Sequence, residues 1–259
     1  MNNKIKKVAQ ESAQSAGEEL LKHFYKFNRN SVKFKAHHEI ITKADLAAEK
    51  IILDIIHKNF PDHQILSEED GHNGKKSDYL WIIDPLDGTT NFSMHNPLFS
   101  VSIGVAYKGE IIMGVVHAPF LQETYTAQLG KGVKLNNKKI KVSNIRNLNE
   151  SLNTYCHARE NKYVRKALTY MRKQKLNGFD CRQLGSAAIE LAFVAAGRVE
   201  SIVIPGANSW DVAAGVLLVR EAGGRVSDFS NKKWNLNSNN MLASNGLVHK
   251  DIISILNNK

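Results

Sequence analysis

The chain changes from apolar to acidic within one short stretch, Trp81-Ile82-Ile83-Asp84-Pro85-Leu86-Asp87-Gly88-Thr89-Thr90-Asn91-Phe92. Its apolar first part predicts a buried strand, and Asp84 follows directly after it. Pro85 fixes φ and has no N–H to give to a sheet, so we expect the strand ladder to stop there. The resulting turn would fold the carboxylates of Asp84 and Asp87 and the Leu86 carbonyl around one point.

Oxygen ligands of this kind suit a hard divalent cation. Gly88-Thr89-Thr90 then offers closely spaced backbone N–H groups, and Gly88 lacks a side chain that would block an anion. The pattern therefore predicts a phosphate held against a metal ion and backbone amides together. An Asp-Pro-x-Asp-Gly pentapeptide is also typical of an ordinary solvated turn, so the prediction depends on support from elsewhere in the chain.

Three further segments provide that support. Leu66-Ser67-Glu68-Glu69-Asp70 places an acidic cluster at the end of a strand-like piece, although alone it is also typical of a charged loop. Residues 40–45 place Asp45 at the start of a predicted helix, where an N-terminal cap is the other interpretation. Ser209-Trp210-Asp211 precedes an apolar helix that ends at Gly223-Gly224, and capping is again the other interpretation for Asp211.

The remaining pattern predicts an α/β protein. Apolar residues at helical spacing predict helices over 4–27 and 45–59, the second ended by Pro61. Runs of β-branched and aromatic residues over 80–127, with turns at Lys108-Gly109-Glu110 and Asn136-Asn137, predict an antiparallel sheet. Helical segments follow at 160–175, 186–196, 212–222 and 244–257, and the second and third of these are apolar enough to be buried. We expect one domain over 1–259, with lobes of about 1–145 and 146–259 joined through the polar segment 144–151.

Composition narrows the class of protein. A length of 259 residues, with 42% hydrophobic and 23% charged residues, is typical of a globular protein and excludes disorder, collagen and disulfide scaffolds. The sequence lacks a long apolar run and a signal-peptide core, which predicts a cytoplasmic protein without a membrane span. Cys156 and Cys181 form no CxxC pair, so we expect ordinary thiols. The net charge of +10 favours anionic partners, such as phosphorylated small molecules, nucleic acid or anionic surfaces.

Five motifs follow one another along the chain: Asp45, Glu68-Glu69, Asp84-Pro85-Leu86-Asp87-Gly88-Thr89, Trp210-Asp211 and, after eleven intervening residues, Gly223-Gly224. In this order they resemble the inositol monophosphatase superfamily, the metal-dependent, lithium-sensitive phosphatases. The resemblance covers nearly the whole chain and is closest to bacterial and archaeal members. It implies an α/β fold, layered as an α-β-α-β-α sandwich of the inositol monophosphatase and fructose-1,6-bisphosphatase type, and a homodimer.

The resemblance also implies a site for two or three Mg²⁺ ions. A first ion would lie among Glu68, Asp84, the Leu86 carbonyl and Thr89, and a second among Asp84, Asp87 and Asp211. Asp84 would bridge the two ions at ~3.5–4 Å, a separation that suits an in-line displacement at phosphorus. Four carboxylates against two divalent ions leave roughly no net charge, so the cations and nearby amides would attract the phosphate.

The implied chemistry is hydrolysis of a phosphate monoester by a metal-activated water, without a covalent intermediate. The implied catalytic residues are Asp45, Glu68 and Thr89, of which Thr89 and Asp45 would assist deprotonation of the water. The implied substrate contacts are Asp87, Gly88, Thr89, Gly185, Ser186, Ala187 and Asp211. Lys35 matches a family lysine close to the site, and a solvated lysine is the other interpretation in a chain this basic.

The sequence departs from the family's pattern at one position that concerns the substrate. Family members that prefer inositol phosphates carry a glutamate seven residues before the aspartate of Trp-Asp, and here that residue is Ile204. An apolar side chain cannot accept a hydrogen bond from a ring hydroxyl. Inositol 1-phosphate or a related sugar phosphate therefore stands beside fructose 1,6-bisphosphate and 3′-phosphoadenosine 5′-phosphate. A different class of function is an RNA-associated role in transcription or ribosome assembly, as some bacterial relatives show, with the +10 charge in contact with RNA.

Overall fold

The computed structural model describes residues 2–26, 33–34, 40–41 and 43–257, and the side chains of 3–26 and 43–257. The helices are α1 (Asn2–Lys26), α2 (Lys43–Asn59), α3 (Thr89–Ser93), α4 (Asn161–Leu176), α5 (Ala187–Ala195), α6 (Ser209–Glu221) and α7 (His249–Asn257). The strands are β1 (Lys33–Phe34), β2 (Ile40–Ile41), β3 (Gln64–Ser67), β4 (Gly71–His72), β5 (Tyr79–Asp87), β6 (Ser100–Tyr107), β7 (Glu110–Ala118), β8 (Glu123–Gln128), β9 (Gly132–Leu135), β10 (Lys138–Lys139), β11 (Leu152–Tyr155), β12 (Asp180–Arg182), β13 (Ser201–Pro205), β14 (Arg225–Ser227) and β15 (Asn240–Ser244).

Within these ranges, two large sheets alternate with helices in five layers. The larger sheet has the order β10-β9-β8-β7-β6-β5-β3-β4, and the smaller has the order β12-β11-β13-β15-β14. Helices α1 and α2 cover the outer face of the larger sheet, α5 and α6 lie between the sheets, and α4 and α7 cover the smaller sheet. The α-β-α-β-α sandwich implied by the resemblance is thereby confirmed.

Strand β5 contributes to both faces of the larger sheet. Trp81 and Ile83 pack against α1 and α2, whereas Ile82 packs against the helices between the sheets. Successive side chains of a strand point to opposite faces, so Asp84 follows Ile82 onto the side of α6. The apolar stretch that opens the sequence motif is therefore buried because both faces of its strand are covered.

The ladder continues past Pro85, so the prediction that proline would stop it was wrong. Strand β5 pairs with β6 at Asp84–Ser102 and again at Asp87–Ser100, with a register shift between the two pairs. A bulge of this kind accommodates a residue without an N–H while the strand goes on. Its consequence is that both carboxylates belong to the end of one buried strand.

Two helix boundaries also differ from the prediction. Helix α2 begins at Lys43, so Asp45 lies inside its first turn and does not occupy the cap position. The helix predicted over 244–257 was wrong in its first part, since Ser244 ends β15 and α7 begins at His249. Between them Asn245 accepts hydrogen bonds from the N–H groups of Leu247 and Val248 through its side chain, at 2.9 and 3.2 Å, which satisfies these donors in a turn.

Other predictions from the sequence are confirmed. The segments 4–27, 45–59, 160–175, 186–196 and 212–222 correspond to α1, α2, α4, α5 and α6, with Phe27 outside the described residues. Strands β5 to β8 are antiparallel neighbours, whereas β3 joins β5 in parallel, which the sequence did not indicate. The turns Lys108-Gly109 and Asn136-Asn137 are two-residue hairpins with positive φ at both positions.

The larger sheet uses strands that end at Lys139, and the smaller begins at Leu152. One buried cluster, however, contains residues of the larger sheet, of α5 and α6 and of the smaller sheet. The division into two lobes near residue 145 stays a prediction. No helix in the described part of the chain is both long and apolar enough to cross a membrane.

Candidate active site

One cavity of about 870 Å³ contains most of the residues that the sequence singled out. Those that line it are Glu68, Asp84, Leu86, Asp87, Gly88, Thr89, Gly185, Ala187 and Asp211. Asp45 and Ser186, the other two predicted site residues, are buried and contact residues of the wall. Lys35 lies outside the described residues.

Glu68 and Asp84 are neighbours because β3 and β5 run parallel. Ser67 pairs with Ile83 in the sheet, and the Glu68 N–H continues the ladder by donating to the Ile83 carbonyl at 3.1 Å. The carboxyl ends of the two strands therefore lie side by side, and the two carboxyl groups are hydrogen-bonded to each other. The register of this parallel pair therefore brings together two carboxyl groups that are sixteen residues apart in the sequence.

The carboxyl groups around Asp84 repel one another. Burial raises the pKa of Asp84 well above its ordinary value, and the negative charges of Glu68, Asp87 and Asp211 raise it further. Burial also raises the pKa of Glu68, to which the charges of Asp211 and Glu69 add. Both causes follow from the burial of several carboxyl groups close to one another.

Asp87 connects the end of β5 to the start of α5. Its carboxylate accepts hydrogen bonds from the Ser186 hydroxyl and from the N–H groups of Ala187 and Ala188, the last two at 3.1 and 3.0 Å. Ser186, predicted as a substrate contact, is fully buried, and its hydroxyl is a partner of Asp87. Burial raises the pKa of Asp87 to about 6, and these hydrogen bonds oppose the rise.

Thr89 and Asp45 form the second pair implied by the resemblance. Thr89 Oγ1 lies 3.4 Å from Asp45 Oδ1 and 3.0 Å from the Leu86 carbonyl oxygen, and its hydroxyl donates to these acceptors. Asp45 comes from the first turn of α2 and Thr89 begins α3, so contact between α2 and the end of β5 makes the pair.

Asp211 lies in the first turn of α6, three residues after Asn208. Its Oδ2 accepts hydrogen bonds from the backbone N–H and the side-chain amide of Asn208, at 3.4 and 3.2 Å. The cap position of α6 belongs to Asn208, and Asp211 at the third helical position completes a capping box with it. The Asp211 side chain also lines the cavity. Asp211 can do both because the N-terminus of α6 lies at the cavity.

The donor set fits a hard divalent cation, because it consists of carboxylates and one carbonyl oxygen with mutual repulsion to relieve. Among the residues that the structure describes, no three His, Cys, Asp or Glu side chains are already grouped around a common metal position. Asp87 and Asp211 are turned toward protein donors, as described above.

Comparison with protein families shows which family the chain belongs to. The model of the inositol monophosphatase family matches residues 1–259. The chain belongs to the inositol monophosphatase family. This membership confirms the resemblance that the five sequence motifs indicated.

Relatives of this family member carry two kinds of name. A fructose-1,6-bisphosphatase/inositol-1-monophosphatase of Thermotoga maritima is 42% identical over 219 residues, 85% of this chain and 83% of that protein. The Nus factor SuhB of Pasteurella multocida is 38% identical over 254 residues, 97% of this chain and 95% of that protein. The crystal structure of extragenic suppressor protein SuhB from Bartonella henselae superposes with a TM-score of 0.91 at 32% identity and covers 98% of both chains.

Part of the cavity wall was missed by the sequence analysis. These residues are Asn91, His157, Ala158, Arg159, Glu160, Asn161, Gln183 and Asn208. Most of them follow β11 or β12, which pair in parallel, so their loops leave the sheet at the same edge. These residues could have been found only from the parallel direction of β11 and β12. Strands this short have no clear periodicity in the sequence, so their direction was not predicted.

Two buried carboxyl groups behind the wall were missed as well. Glu49 accepts hydrogen bonds from the Ser67 hydroxyl and from the Asp70 N–H, the latter at 3.1 Å, and so holds the chain on both sides of Glu68. Glu190 accepts from the N–H groups of Leu184 and Gly185, at 3.1 and 3.0 Å, and burial raises its pKa to about 7.

Glu190 also contacts Cys156, which lines the cavity. Its thiol donates to Glu190 at 2.9 Å, and both cysteines are free and buried. Burial and the charge of Glu190 raise the pKa of the Cys156 thiol, which keeps it protonated. The prediction of ordinary thiols is confirmed in the sense that no disulfide forms.

Proposed function

We propose that this family member is a Mg²⁺-dependent phosphomonoesterase that hydrolyses a small phosphorylated metabolite. The observation that carries the proposal is the convergence of Glu68, Asp84, Asp87 and Asp211 on one cavity, with the Leu86 carbonyl beside them. A buried carboxylate cluster of this kind is unfavourable without cations, and a phosphate ester is unfavourable there unless cations precede it. Family membership supports the same reaction class.

Glu68, Asp84, Leu86, Asp87 and Asp211 would hold the ions. When bound, two or three Mg²⁺ ions supply Lewis acidity toward the phosphate and the attacking water. Thr89 receives the proton of that water on Oγ1 as its own proton passes to Asp45 Oδ1, along the hydrogen bond that joins the two side chains. The water oxygen forms the new bond to phosphorus as the bond between phosphorus and the leaving oxygen breaks. The leaving oxygen takes up a proton from solvent water, so the products are an alcohol and inorganic phosphate.

Other residues of the cavity orient the phosphate. Gly88 has a φ of 90°, and a Cβ at this position would approach the Leu98 carbonyl oxygen to 2.8 Å, so a larger residue is excluded here. Gly185 and Ala187 also line the cavity, and the Glu190 carboxylate fixes Gly185 by accepting a hydrogen bond from its N–H. Because these residues are small, they leave space in the cavity for the phosphate group.

The substrate we propose is inositol 1-phosphate or a related sugar phosphate, with fructose 1,6-bisphosphate and 3′-phosphoadenosine 5′-phosphate as alternatives. Ile204 supports keeping the alternatives, because it lines the cavity and offers no hydrogen bond to a ring hydroxyl. The name of the Thermotoga maritima relative combines two of these substrates.

Phosphate release from a panel of these three substrates tests the proposal, with Mg²⁺ or with EDTA. We expect turnover on one or more substrates, abolished by EDTA and reduced by about 10²-fold or more in Asp84→Asn. Asp78→Asn is the matched control, because Asp78 is exposed and pairs with Lys108 away from the cavity. Turnover that Asp84→Asn leaves intact would contradict the proposal.

The role of Ile204 is tested on the same panel. In Ile204→Glu we expect the rate on inositol 1-phosphate to rise relative to the other two substrates, since a carboxylate accepts hydrogen bonds from ring hydroxyls. Unchanged relative rates would show that another residue selects the substrate.

An RNA-associated role in transcription is the second candidate, favoured by the similarity to Nus factor SuhB and by the net charge of +10. Binding of RNA by charge should weaken steeply with salt and should be equal in Asp84→Asn, because phosphate contacts and the carboxylate cluster are separate. RNA binding that is absent at low salt would remove this candidate. The homodimer, the cytoplasmic location and lithium sensitivity stay predictions.

A further inference from the structure

We propose that the outer face of α4 binds an acidic amphipathic helix of a partner protein. Helix α4 has six basic residues and no acidic residue: Lys162, Arg165, Lys166, Arg172, Lys173 and Lys175. The net charge of the whole chain is +10, so this one helix carries a large part of the basic excess.

The two faces of α4 differ in burial. Ala167, Tyr170 and Gln174 are buried on the side of the smaller sheet. On the opposite side, Arg165, Leu168, Arg172 and Leu176 are all exposed. Their spacing of three, four and four residues places them on one face, which we call the outer stripe and which is about 16 Å long.

The outer stripe exposes apolar area between cations. The side chains of Leu168 and Leu176 are 49% and 74% exposed. Single exposed leucines are ordinary on a protein surface, but here arginines alternate with them along one face. Arginine and large apolar side chains are the residues that protein interfaces favour.

The arginines of the outer stripe also differ from the lysines at its margin. Three of the four lysines of α4 have partners: Lys162 with Glu160 at 2.7 Å, Lys175 with Asp180 at 3.4 Å, and Lys173 with the Ile255 carbonyl at 3.0 Å. No ion pair within the described part of the chain includes Arg165 or Arg172. Their guanidinium groups therefore offer charge to a partner without the loss of an internal pair.

Charge and shape together favour one kind of occupant. A second copy of the chain would bring the same arginines together, which costs repulsion. A nucleic acid would use the cations and leave Leu168 and Leu176 uncovered. A membrane surface favours a continuous apolar face, which Arg172 interrupts. An acidic helix with apolar residues one turn apart complements both components.

The test uses a labelled helical peptide of about 20 residues, with leucines one turn apart and glutamates on both flanks. Its control is a peptide of the same composition in which the leucines do not share a face. Fluorescence anisotropy with the full chain at physiological salt compares four proteins: the unchanged chain, Leu168→Ser with Leu176→Ser, Arg165→Glu with Arg172→Glu, and Lys232→Glu with Lys233→Glu. The last pair changes the charge equally on another exposed segment.

We expect the amphipathic peptide to bind at least about 5-fold more tightly than its control. The leucine pair should weaken binding by about 5-fold and the arginine pair by about 10-fold or more, while the lysine pair changes it by less than about 2-fold. Circular dichroism and phosphate release should be equal in all four proteins, because none of these residues lies in the cavity.

Several results would overturn the proposal. Equal weakening by the lysine pair, or equal binding of the two peptides, would mean non-specific attraction between charges. A change in molecular mass in the leucine pair would identify a second copy as the occupant. If the peptide does not bind, but an RNA oligonucleotide or a phosphatidylserine vesicle binds the unchanged chain and not Arg165→Glu with Arg172→Glu, the partner belongs to a different class.

Discussion

Asp84 is fully enclosed, contacts Glu68 directly and is repelled by two further carboxylates. Such a residue costs stability in the absence of a cation and contributes strongly once a cation is bound, since the same negative charges that raise its pKa attract the ion. The effect of replacing it should therefore change sign with the metal.

In Asp84→Asn, we expect the melting temperature at about pH 8 to rise in EDTA and the gain from added Mg²⁺ to shrink. The uncharged amide keeps the shape but removes one of the repelling charges. Thermal unfolding by circular dichroism with and without Mg²⁺ measures both quantities. A melting temperature that falls in EDTA would show that Asp84 is held by favourable contacts, and Asp78→Asn serves as the control for the substitution itself.

Glu49 acts on the candidate site without touching the cavity. Its carboxylate holds Ser67 and Asp70 on either side of Glu68, so we infer that it sets the position of Glu68. In Glu49→Gln, we expect the Mg²⁺ concentration for half-maximal activity to rise by about 10-fold, with a smaller change in kcat at saturating Mg²⁺.

A Mg²⁺ titration of phosphate release separates the two parameters for Glu49→Gln. Glu11→Gln is the matched control, because Glu11 is exposed on α1. A fall in kcat at saturating Mg²⁺ without a shift in the titration would exclude a positioning role.

At the scale of elements, α6 matters because it carries Asp211 and packs directly on the larger sheet. Gly104 and Gly114 lie opposite each other on β6 and β7, under α6. A Cβ at Gly114 would approach the Ala214 carbonyl oxygen to 2.6 Å, and a Cβ at Gly104 would approach the Ala213 Cβ to 2.9 Å. The two glycines therefore set how close the helix lies.

In Gly114→Ala, we expect the free energy of unfolding to fall by about 1–3 kcal/mol, because the backbone of α6 must move. Ala214 lies one turn after Asp211, so the same movement should raise the Mg²⁺ requirement. Urea denaturation and a Mg²⁺ titration measure the two effects. An unchanged denaturation midpoint would contradict the close packing.

At the scale of the whole molecule, the cavity joins elements that are distant in sequence. Asp84 and Asp87 come from the larger sheet, Asp211 from a helix between the sheets, and Gly185 from the loop before α5. Burial in this cavity raises the pKa of Asp87 to about 6 and, together with neighbouring charges, the pKa of Glu68 to about 8.

These pKa values predict how stability depends on pH. These pKa values lie above the ordinary carboxyl values, so between about pH 4 and about pH 8 the folded chain holds more protons than the unfolded chain. The contribution of these carboxyl groups to stability therefore falls as the pH rises. Mg²⁺ binds the deprotonated groups and should compensate this loss. We expect the increase in melting temperature caused by Mg²⁺ to be larger at about pH 8 than at about pH 5.5.

Differential scanning fluorimetry at a series of pH values, with Mg²⁺ or EDTA, measures that increase. In Asp84→Asn, the stabilisation by Mg²⁺ should depend less on pH than in the unchanged chain. An increase that is equal across the range in the unchanged chain would show that these carboxylates do not titrate with the metal.

Much of the fold and of the candidate site was determined by local sequence. Apolar spacing predicted α1, α2, α4, α5 and α6, and Lys108-Gly109-Glu110 and Asn136-Asn137 predicted turns, because these features depend on neighbours a few residues away. The resemblance to a family identified nine of the residues that line the cavity, seven of them in the motifs around Asp84, Glu68 and Asp211 and the other two, Gly185 and Ala187, before and at the start of α5.

Tertiary structure alone decided what depends on packing between distant segments. Pro85 stays in a strand because a bulge against β6 accommodates it, and Glu68 meets Asp84 because β3 pairs with β5 in parallel. The Ser186 hydroxyl donates to Asp87, and Asp211 both completes a capping box with Asn208 and lines the cavity. A sequence shows which residues are chemically suited to a site, whereas strand register and helix packing determine which of them meet.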